Sequence, residues 1–183
     1  MIQSSISAIL AQIGLQLVGT GWPEACNNFG LLLGGKVLTN PAQGTSERAY
    51  IGIEDSRGTY LYIREQDNAI QLSPARLGSC SKGQAVSVQL RAVAVSNNLQ
   101  NTAQHLADKL WIDFNNLSLN SPVIDNIGLA EIDTAALWTN HSEIMLAETG
   151  GTRHDAPRLS LAALDFKLSF VVKNCKLETL KIC

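Results

Sequence analysis

A chain of 183 residues, 45% of them hydrophobic, is long enough for one domain that buries a core without needing disulfides or metals. Charged residues make up only 16% of the chain, below the ~25% of typical soluble proteins, so the rest of the surface must consist of uncharged polar residues (Ser, Asn, Gln and Thr) or of surface that a partner covers. The formal net charge of −2 gives no indication of the basic face that ordinary nucleic-acid readout requires, and so speaks against that function.

The opening stretch has the spacing of an amphipathic helix. Apolar residues recur at steps of three and four from Ile2 to Leu17, with serines and glutamines opposite them. No charged side chain occurs in the first 23 residues, and Gly19, Gly21 and Pro23 end the pattern. The first basic residue is Lys36 and no apolar run reaches about 18 residues, so we expect neither a secretory signal nor a membrane span.

Strand patterns fill the middle of the chain. Lys36 to Thr39 is a short candidate, and Ala49 to Glu54 and Thr59 to Arg64 both alternate. The turn chemistry of Asp55 to Gly58 between the last two predicts a hairpin. Gln84 to Ser96 is the longest candidate, and the residues predicted to share its buried face are Val86, Val88, Leu90, Ala92 and Ala94. The opposite face carries Gln89 and Arg91, which indicates a half-buried strand with one face towards a helix layer.

The rest of the chain adds a helix and a closing strand. The helix runs from Thr102 to Phe114, with Asn101 or Thr102 as its cap and Trp111 joined to its apolar stripe. Weaker patterns occur at 131–137 and 143–147. The closing strand, Leu164 to Val172, is predicted to turn four large side chains inward: Leu164, Phe166, Leu168 and Phe170.

These patterns predict a single α+β domain over residues 1–183. An antiparallel sheet of about four to six strands carries the N-terminal and central helices on one face. Residues 117–157 are expected to form an irregular insertion.

The residues that can carry chemistry lack the partners that the chemistry needs. Cys80 lies in the polar loop 78–83, which leads into a strand rather than through a strand–elbow–helix turn. None of the four cysteines forms a C-x-x-C pair or lies at metal-ligand spacing from a histidine. The three histidines also have no evident nucleophile to activate: His105, His141 and His154.

The segment Gly30 to Lys36 has the spacing of a phosphate-binding loop. Its central residues are leucines, and Val37 occupies the position where a hydroxyl would bind Mg²⁺. We therefore expect no enzymatic activity, no cofactor and no metal site.

The element order resembles that of tail terminator and neck (head–tail connector) proteins of tailed bacteriophages. The segments that carry the resemblance cover about half the chain: Ile2 to Leu17, Ala49 to Arg64, Gln84 to Ser96 with Thr102 to Phe114, and Leu164 to Val172. The resemblance implies a virion subunit, assembled in the host cytoplasm into a homo-oligomeric ring such as a hexamer or dodecamer. It also implies contacts with other virion structural proteins and passage of DNA through a lumen. The slightly negative net charge of the protein would let DNA slide, since each phosphate contact from Lys or Arg adds binding affinity for DNA.

A ring of this kind predicts where its subunits touch. The uncharged first helix and the long loops 40–48 and 148–157 are expected to lie between protomers. The interface candidates are Ile2, Ile6, Ile13, Arg48, Arg57, Arg153 and His154.

Two other classes of function stay open. The first is a monomeric or dimeric binding module with an apolar pocket or groove between the first helix and the sheet. The second is an enzyme whose central residue is Cys80 or His154.

Overall fold

The computed structural model describes residues 2–27, 31–33, 35–39, 49–53, 58–77, 80–98, 100–119, 127–149 and 159–173. The order of the elements in these residues is α1 (Ile2–Gly19), β1 (Ala25–Asn27), β2 (Leu31–Leu33), β3 (Gly35–Thr39), β4 (Ala49–Ile53), β5 (Thr59–Leu77), β6 (Cys80–Ser96), α2 (Ala103–Asn115), β7 (Ile127–Trp138), α3 (His141–Thr149) and β8 (Ser160–Lys173).

The larger sheet is built around β6. Its strands are ordered β1-β2-β5-β6-β8-β7, and neighbouring strands are antiparallel. β6 pairs with β5 on one side and, from Gly83 to Ser96, with β8 on the other. β3 and β4 form a separate two-stranded sheet. The predicted α+β class with an antiparallel sheet is confirmed.

The N-terminal and central helices pack on the same face of the larger sheet, as predicted. The residues that α1 and α2 bury there include Ile6, Ile9, Ile13, Leu17, Leu106, Leu110 and Phe114. They meet the inward side chains of β6 and β8 that the alternation had predicted, and the rings of Phe114 and Phe166 lie 4.9 Å apart between centroids. Each large side chain buried in this way stabilises the fold by about 1.5–3 kcal/mol.

Gly21 and Trp22 terminate α1. The amide of Trp22 donates to the carbonyl of Leu17, and the amide of Gly21 donates to that of Val18. This is the Schellman arrangement, in which the residue after the cap takes the left-handed conformation, and Gly21 has φ +94°. Trp22 then folds into the core, so the chain reverses over the end of its own helix.

The predicted hairpin between 49–54 and 59–64 is wrong. β4 pairs with β3, in a register from Thr39 opposite Ala49 to Gly35 opposite Ile53, whereas β5 pairs with β2 and β6. Alternation identifies a strand but not its partner, and turn residues also occur in longer connections. Residues 55–57 of the predicted turn lie outside the described part of the chain, as does the last residue of the predicted first strand.

Regular structure extends further than the sequence patterns. β5 continues to Leu77 after a break in register between Glu65 and Ile70. Within the stretch 117–157, predicted to be irregular, residues 127–149 contain β7 and α3. The weak patterns at 131–137 and 143–147 lie inside these two elements.

α3 covers one end of the opposite sheet face. Ile144 of α3 is buried against side chains that alternate with those of the main core: Tyr60, Val93, Val95, Leu161 and Ala163. At this end the sheet is therefore enclosed on both faces. The polar face predicted for β6 is exposed at Gln89 but buried at Arg91.

Candidate functional site

The outward side of α1 carries no charge. Its exposed residues include Ser4, Ser7, Ala11 and Leu15, which are called the α1 face below. Leu15 is 76% exposed, and its position is a half-turn away from the buried stripe. The sequence analysis did not identify Leu15 as an exposed apolar residue, although its position outside the apolar stripe indicated that it faces away from the core.

Two hydrogen-bonded glutamines flank this face. Gln3 donates to the Glu65 carboxylate at 3.1 Å. Gln16 donates to the Ser118 carbonyl and accepts from the Ser118 amide, both at 2.9 Å. The glutamines therefore fix α1 to β5 and to the segment after α2, and they leave Leu15 as the large apolar side chain of the helix that faces solvent.

A second group of exposed apolar side chains lies on α2 and β7. Ile112 is 56% exposed, Trp111 42% and Leu137 38%; these three are called the α2–β7 patch. Trp111 was predicted to belong to the buried stripe of α2, but it lies on the outer side of the helix. The stripe itself consists of Leu106, Ala107, Leu110 and Phe114.

The geometry of α2 and β7 brings Trp111 and Leu137 to the same border of the sheet. Thr134 of β7 donates to Asn115 at 3.2 Å, so the end of α2 lies over β7. Trp111 is one helical turn before Asn115, and Leu137 follows Thr134 along β7. Going from Asn115 to Trp111 and from Thr134 to Leu137 leads in both cases towards the same end of the sheet. α2 begins at that end, since Asn101 donates to Ser96 at the end of β6, and β7 also ends there, since Trp138 and Ser96 pair with nearby residues of β8.

A cluster of ion pairs occupies the opposite sheet face. Arg91 of β6 pairs with Asp165 of β8 through two hydrogen bonds, one of which is 2.9 Å long from Nη2 to Oδ2. Glu148 of α3 accepts from Arg64 Nε at 2.7 Å and Nη2 at 2.8 Å and lies 3.6 Å from Arg91 Nη1. Two cations and two carboxylates therefore alternate on a largely buried surface.

Neutral donors complete the cluster. The Trp138 indole and the Gln66 amide donate to Asp165 at 2.9 and 2.8 Å, and the Tyr62 hydroxyl donates to Glu148 at 2.8 Å. The Arg91 guanidinium also lies 5.0 Å from the centroid of the Trp138 ring. No buried side-chain nitrogen or oxygen in the described ranges lacks a hydrogen-bond partner. The cluster is thus arranged to hold α3, β5, β6, β7 and β8 together.

Burial and charge shift the pKa values of this cluster in consistent directions. A hydrogen bond to Asp165 raises the pKa of Arg91, and one to Glu148 raises that of Arg64. Burial, followed by the Glu148 charge, raises the pKa of Tyr62, while burial alone raises that of Tyr60 to about 12. All four groups stay in their ordinary protonation states at neutral pH, which suits a structural ion-pair network.

A smaller polar contact joins α1 to α2. Asp113 of α2 is buried and accepts from the Trp22 indole and from Lys109, each at 2.8 Å. Lys109 also donates to the Thr20 carbonyl at 2.8 Å and lies 5.1 Å from the Trp22 ring centroid. This contact holds the end of α1 against the middle of α2.

A shallow hollow of about 540 Å³ lies on the uncovered part of the sheet. Its floor includes a row of polar residues from four adjacent strands, in which each residue is opposite the next. The row runs from β5 to β7: Gln71, Ser87, Ser169 and Glu131. Lys167 also contributes to the lining. The space between α1 and the sheet, where a binding module was predicted to have its pocket, is filled by buried side chains.

The predicted chemical residues do not come together in the described parts of the chain. His105 is exposed on α2, and its neighbour Asp108 is bound by Gln104 rather than by the imidazole. His141 begins α3 and shares that helix with Glu143. Within the described ranges, no group of three or more His, Cys, Asp or Glu residues is placed to hold a metal ion.

The segment that resembles a phosphate-binding loop contributes to two strands. Leu31–Leu33 form β2 and Gly35–Thr39 form β3, so no helix follows to present its N-terminus to a phosphate. Cys80 lies in β6, where it is paired with Leu77 of β5.

Two of the predicted interface residues belong to the core. Ile6 and Ile13 are fully buried against the sheet of their own chain, and Ile2 is partly buried against the same core. The periodicity that selected them marks the inward side of α1, so the surface open to a partner is the α1 face. The other candidates lie outside the described residues: Arg48, Arg57, Arg153 and His154.

α1 is the one described helix that is long and apolar enough to cross a bilayer by length and composition. Its buried residues pack against the sheet from Ser5 to Leu17, an arrangement that core helices of globular proteins share.

No family model, curated protein sequence or solved structure matches this chain.

Proposed function

We propose that this protein is a non-catalytic structural subunit that assembles with copies of itself into a symmetric ring. The observation that carries the proposal is the exposure of Leu15, Trp111 and Ile112 on the outer side of the helix layer. Side chains of this size contribute most when another surface covers them, and an aromatic anchor beside aliphatic residues is a common interface composition. A neighbouring copy would supply that cover.

The charge distribution supports the same proposal. Burying a charged side chain at an interface costs free energy unless a partner neutralises it. α1 contains no charged residue from Ile2 to Gly19, so its outer side can be covered without this cost. The lack of charged side chains gives no stabilising advantage to a helix whose outer side stays in water.

The resemblance in element order gives the proposed assembly a place. The ring would lie in the virion between head and tail, in contact with other structural proteins, as in tail terminator and neck connector assemblies. The net charge of −2 would limit the affinity of the ring for DNA that passes through the lumen.

The native mass of the protein tests the proposal. Size-exclusion chromatography with light scattering, over a wide range of concentrations, should give a multiple of the chain mass. Leu15→Glu should lower that mass, because it places a charge in the middle of the contact.

The matched control is Leu146→Glu. Leu146 is 63% exposed on α3, on the opposite side of the sheet, so this change should leave the mass unaltered. A wild-type protein that stays monomeric at the highest concentration would contradict the proposal.

A binding module is the second candidate, because the 540 Å³ hollow offers hydroxyl, amide, ammonium and carboxylate groups on one surface. Under this alternative the wild type is monomeric and the substitution Ser169→Trp, which fills the hollow, abolishes binding of its ligand. An unchanged assembly in Ser169→Trp is the result expected for the ring subunit.

A further inference from the structure

The fold buries little of α3. This helix has nine residues, and isolated helices shorter than about 12–15 residues are marginal in water. Ile144 is the buried residue among positions 141–148, and Met145 and Glu148 are partly buried. The other residues of this stretch are exposed: His141, Ser142, Glu143, Leu146 and Ala147. The helix therefore depends on its contact with the sheet for its stability.

The contact between α3 and the sheet has two parts, one helical turn apart. Ile144 packs into an apolar cluster that is separate from the core beneath α1 and α2. Glu148 accepts from the Tyr62 hydroxyl at 2.8 Å and from two nitrogens of Arg64 at 2.7 and 2.8 Å, and it lies 3.6 Å from Arg91 Nη1. A single carboxylate of α3 thus receives three hydrogen bonds from the sheet.

The groups that bind this carboxylate are also held by contacts outside α3. Arg91 donates two hydrogen bonds to Asp165 of β8. The ring of Tyr62 stacks on that of Tyr60, with 6.3 Å between their centroids, and Arg64 Nη1 donates to the carbonyl of the next residue at 3.3 Å. Two guanidinium groups and one hydroxyl therefore converge on one point of the sheet independently of the helix that they bind.

The connection before α3 has the form of a hinge. On its N-terminal side, the Trp138 indole donates to Asp165 and fixes the end of β7 to β8. On its other side, Asn140 belongs to the helix cap, since its side chain accepts from the Ser142 amide at 3.1 Å. Thr139 lies between them and is exposed. α3 and its cap can therefore move as one unit while β7 stays in place.

We infer that α3 is a releasable strap, which Glu148 latches by occupying a carboxylate-binding site formed by Tyr62, Arg64 and Arg91. Opening requires the loss of the Ile144 contact and of one bound carboxylate, whereas the core beneath α1 and α2 stays intact. The opened site then accepts a segment with the chemistry of α3 itself, a carboxylate one helical turn after an apolar side chain. This inference goes beyond the ring proposal and holds for a monomer as well.

Native-state hydrogen exchange tests the strap. In the wild type, the amides of residues 144–148 should exchange faster than those in the middle of β6 and β8, because α3 opens without global unfolding. Glu148→Gln keeps the size of the side chain and removes its charge. It should accelerate the exchange of the α3 amides by roughly 10- to 100-fold, the factor expected for the loss of a charge-assisted hydrogen bond.

The matched control is Glu143→Gln. Glu143 lies on the same helix, but it is exposed and accepts from Asn140 of the helix cap at 3.1 Å. Its substitution should change the exchange of α3 by less than about fivefold. Tyr62→Phe removes one donor to Glu148 without altering α3, and it should give an intermediate acceleration. Circular dichroism verifies folding, and Tyr62→Phe replaces Glu148→Gln if that variant unfolds.

Acetate tests the binding site itself. Glu148→Ala leaves the site without its carboxylate, so a small carboxylate can bind there and stabilise the folded chain. Sodium acetate, compared with sodium chloride at equal ionic strength, should raise the melting temperature of Glu148→Ala more than that of the wild type, whose site is filled.

Three results would overturn the inference. The first is exchange of the α3 amides at the same rate as those of β6 and β8 in the wild type. The second is equal acceleration by Glu148→Gln and Glu143→Gln. The third is an equal gain from acetate in Glu148→Ala and the wild type. These measurements do not depend on the native mass, so a failure here is distinguishable from a failure of the ring proposal.

Discussion

Replacement of Arg91 by Met should destabilise the fold by about 2–4 kcal/mol. The Arg91 side chain is 10% exposed and makes two charge-assisted hydrogen bonds to Asp165, which is itself only 17% exposed. Breaking a buried ion pair from one side typically costs about 3–5 kcal/mol, because the remaining charge is left without compensation. The Gln66 and Trp138 donors still reach Asp165 and compensate part of its charge, which lowers the expected value to about 2–4 kcal/mol.

The matched control for this substitution is Arg64→Met. Arg64 binds Glu148 with equally short contacts, but its side chain is 32% exposed, and Glu148 keeps Tyr62 as a donor. Its loss should cost only about 1 kcal/mol, because Arg64 itself is partly hydrated and because Glu148, although 11% exposed, keeps Arg91 Nη1 at 3.6 Å as a counter-charge.

Urea denaturation, followed by tryptophan fluorescence and circular dichroism, measures both values. Added salt should reduce the effect of Arg64→Met more than that of Arg91→Met, because water and ions screen the exposed pair better. Equal losses of stability in the two variants would refute the view that burial, rather than hydrogen-bond geometry, determines the strength of this network.

Three further outcomes are expected. Leu17→Ala should lower the free energy of unfolding, measured in urea, by about 2–5 kcal/mol, because Leu17 is fully buried. Leu15→Ala should change the stability of the monomer by less than about 0.5 kcal/mol, and equal losses of stability in the two variants would contradict the assigned faces of α1. Gly21→Ala should lower the melting temperature through a cost of about 1–2 kcal/mol at φ +94°, while Gly19→Ala, which meets open space, should be neutral or slightly stabilising. The pKa of Tyr60 is raised to about 12 in the folded chain, so its contribution to stability is complete below pH ~10 and is lost as the pH rises towards about 12. In a pH titration followed by the ultraviolet absorbance of the phenolate and by circular dichroism, Tyr60 should ionise as the chain unfolds. Ionisation near pH 10 in a folded chain would contradict its burial.

The sequence predicted the helices and strands that bury only one face, because their apolar residues recur at the period of a helix or a strand. α1, β6, α2 and β8 were found because their inward residues are large and apolar and recur at the helical or strand period. Trp111 is the exception in α2, since an aromatic residue beside the stripe cannot be assigned to either side by spacing alone. Leu15 shows the converse, because an apolar residue outside the stripe is visible in the sequence while its exposure is not.

Pairing and the opposite sheet face could not be predicted in the same way. The strand character of 65–77 comes from hydrogen bonds to β6, since Glu65, Gln66 and Pro74 have little preference for strands. The cluster around Arg91 joins residues from five elements, and Glu148 is 84 positions from Arg64 along the chain. Nothing local in the sequence indicates which carboxylate meets which guanidinium.

The order of synthesis has a consequence for α1. Its apolar stripe belongs to one core with Phe166 and Phe170 of β8, which follow it by about 150 residues. At ribosomal rates of about 5–20 residues per second, β8 emerges roughly 7–30 s after the helix. During that interval the core that buries Ile6, Ile13 and Leu17 is incomplete, so the nascent chain exposes an apolar helix face to which a chaperone can bind.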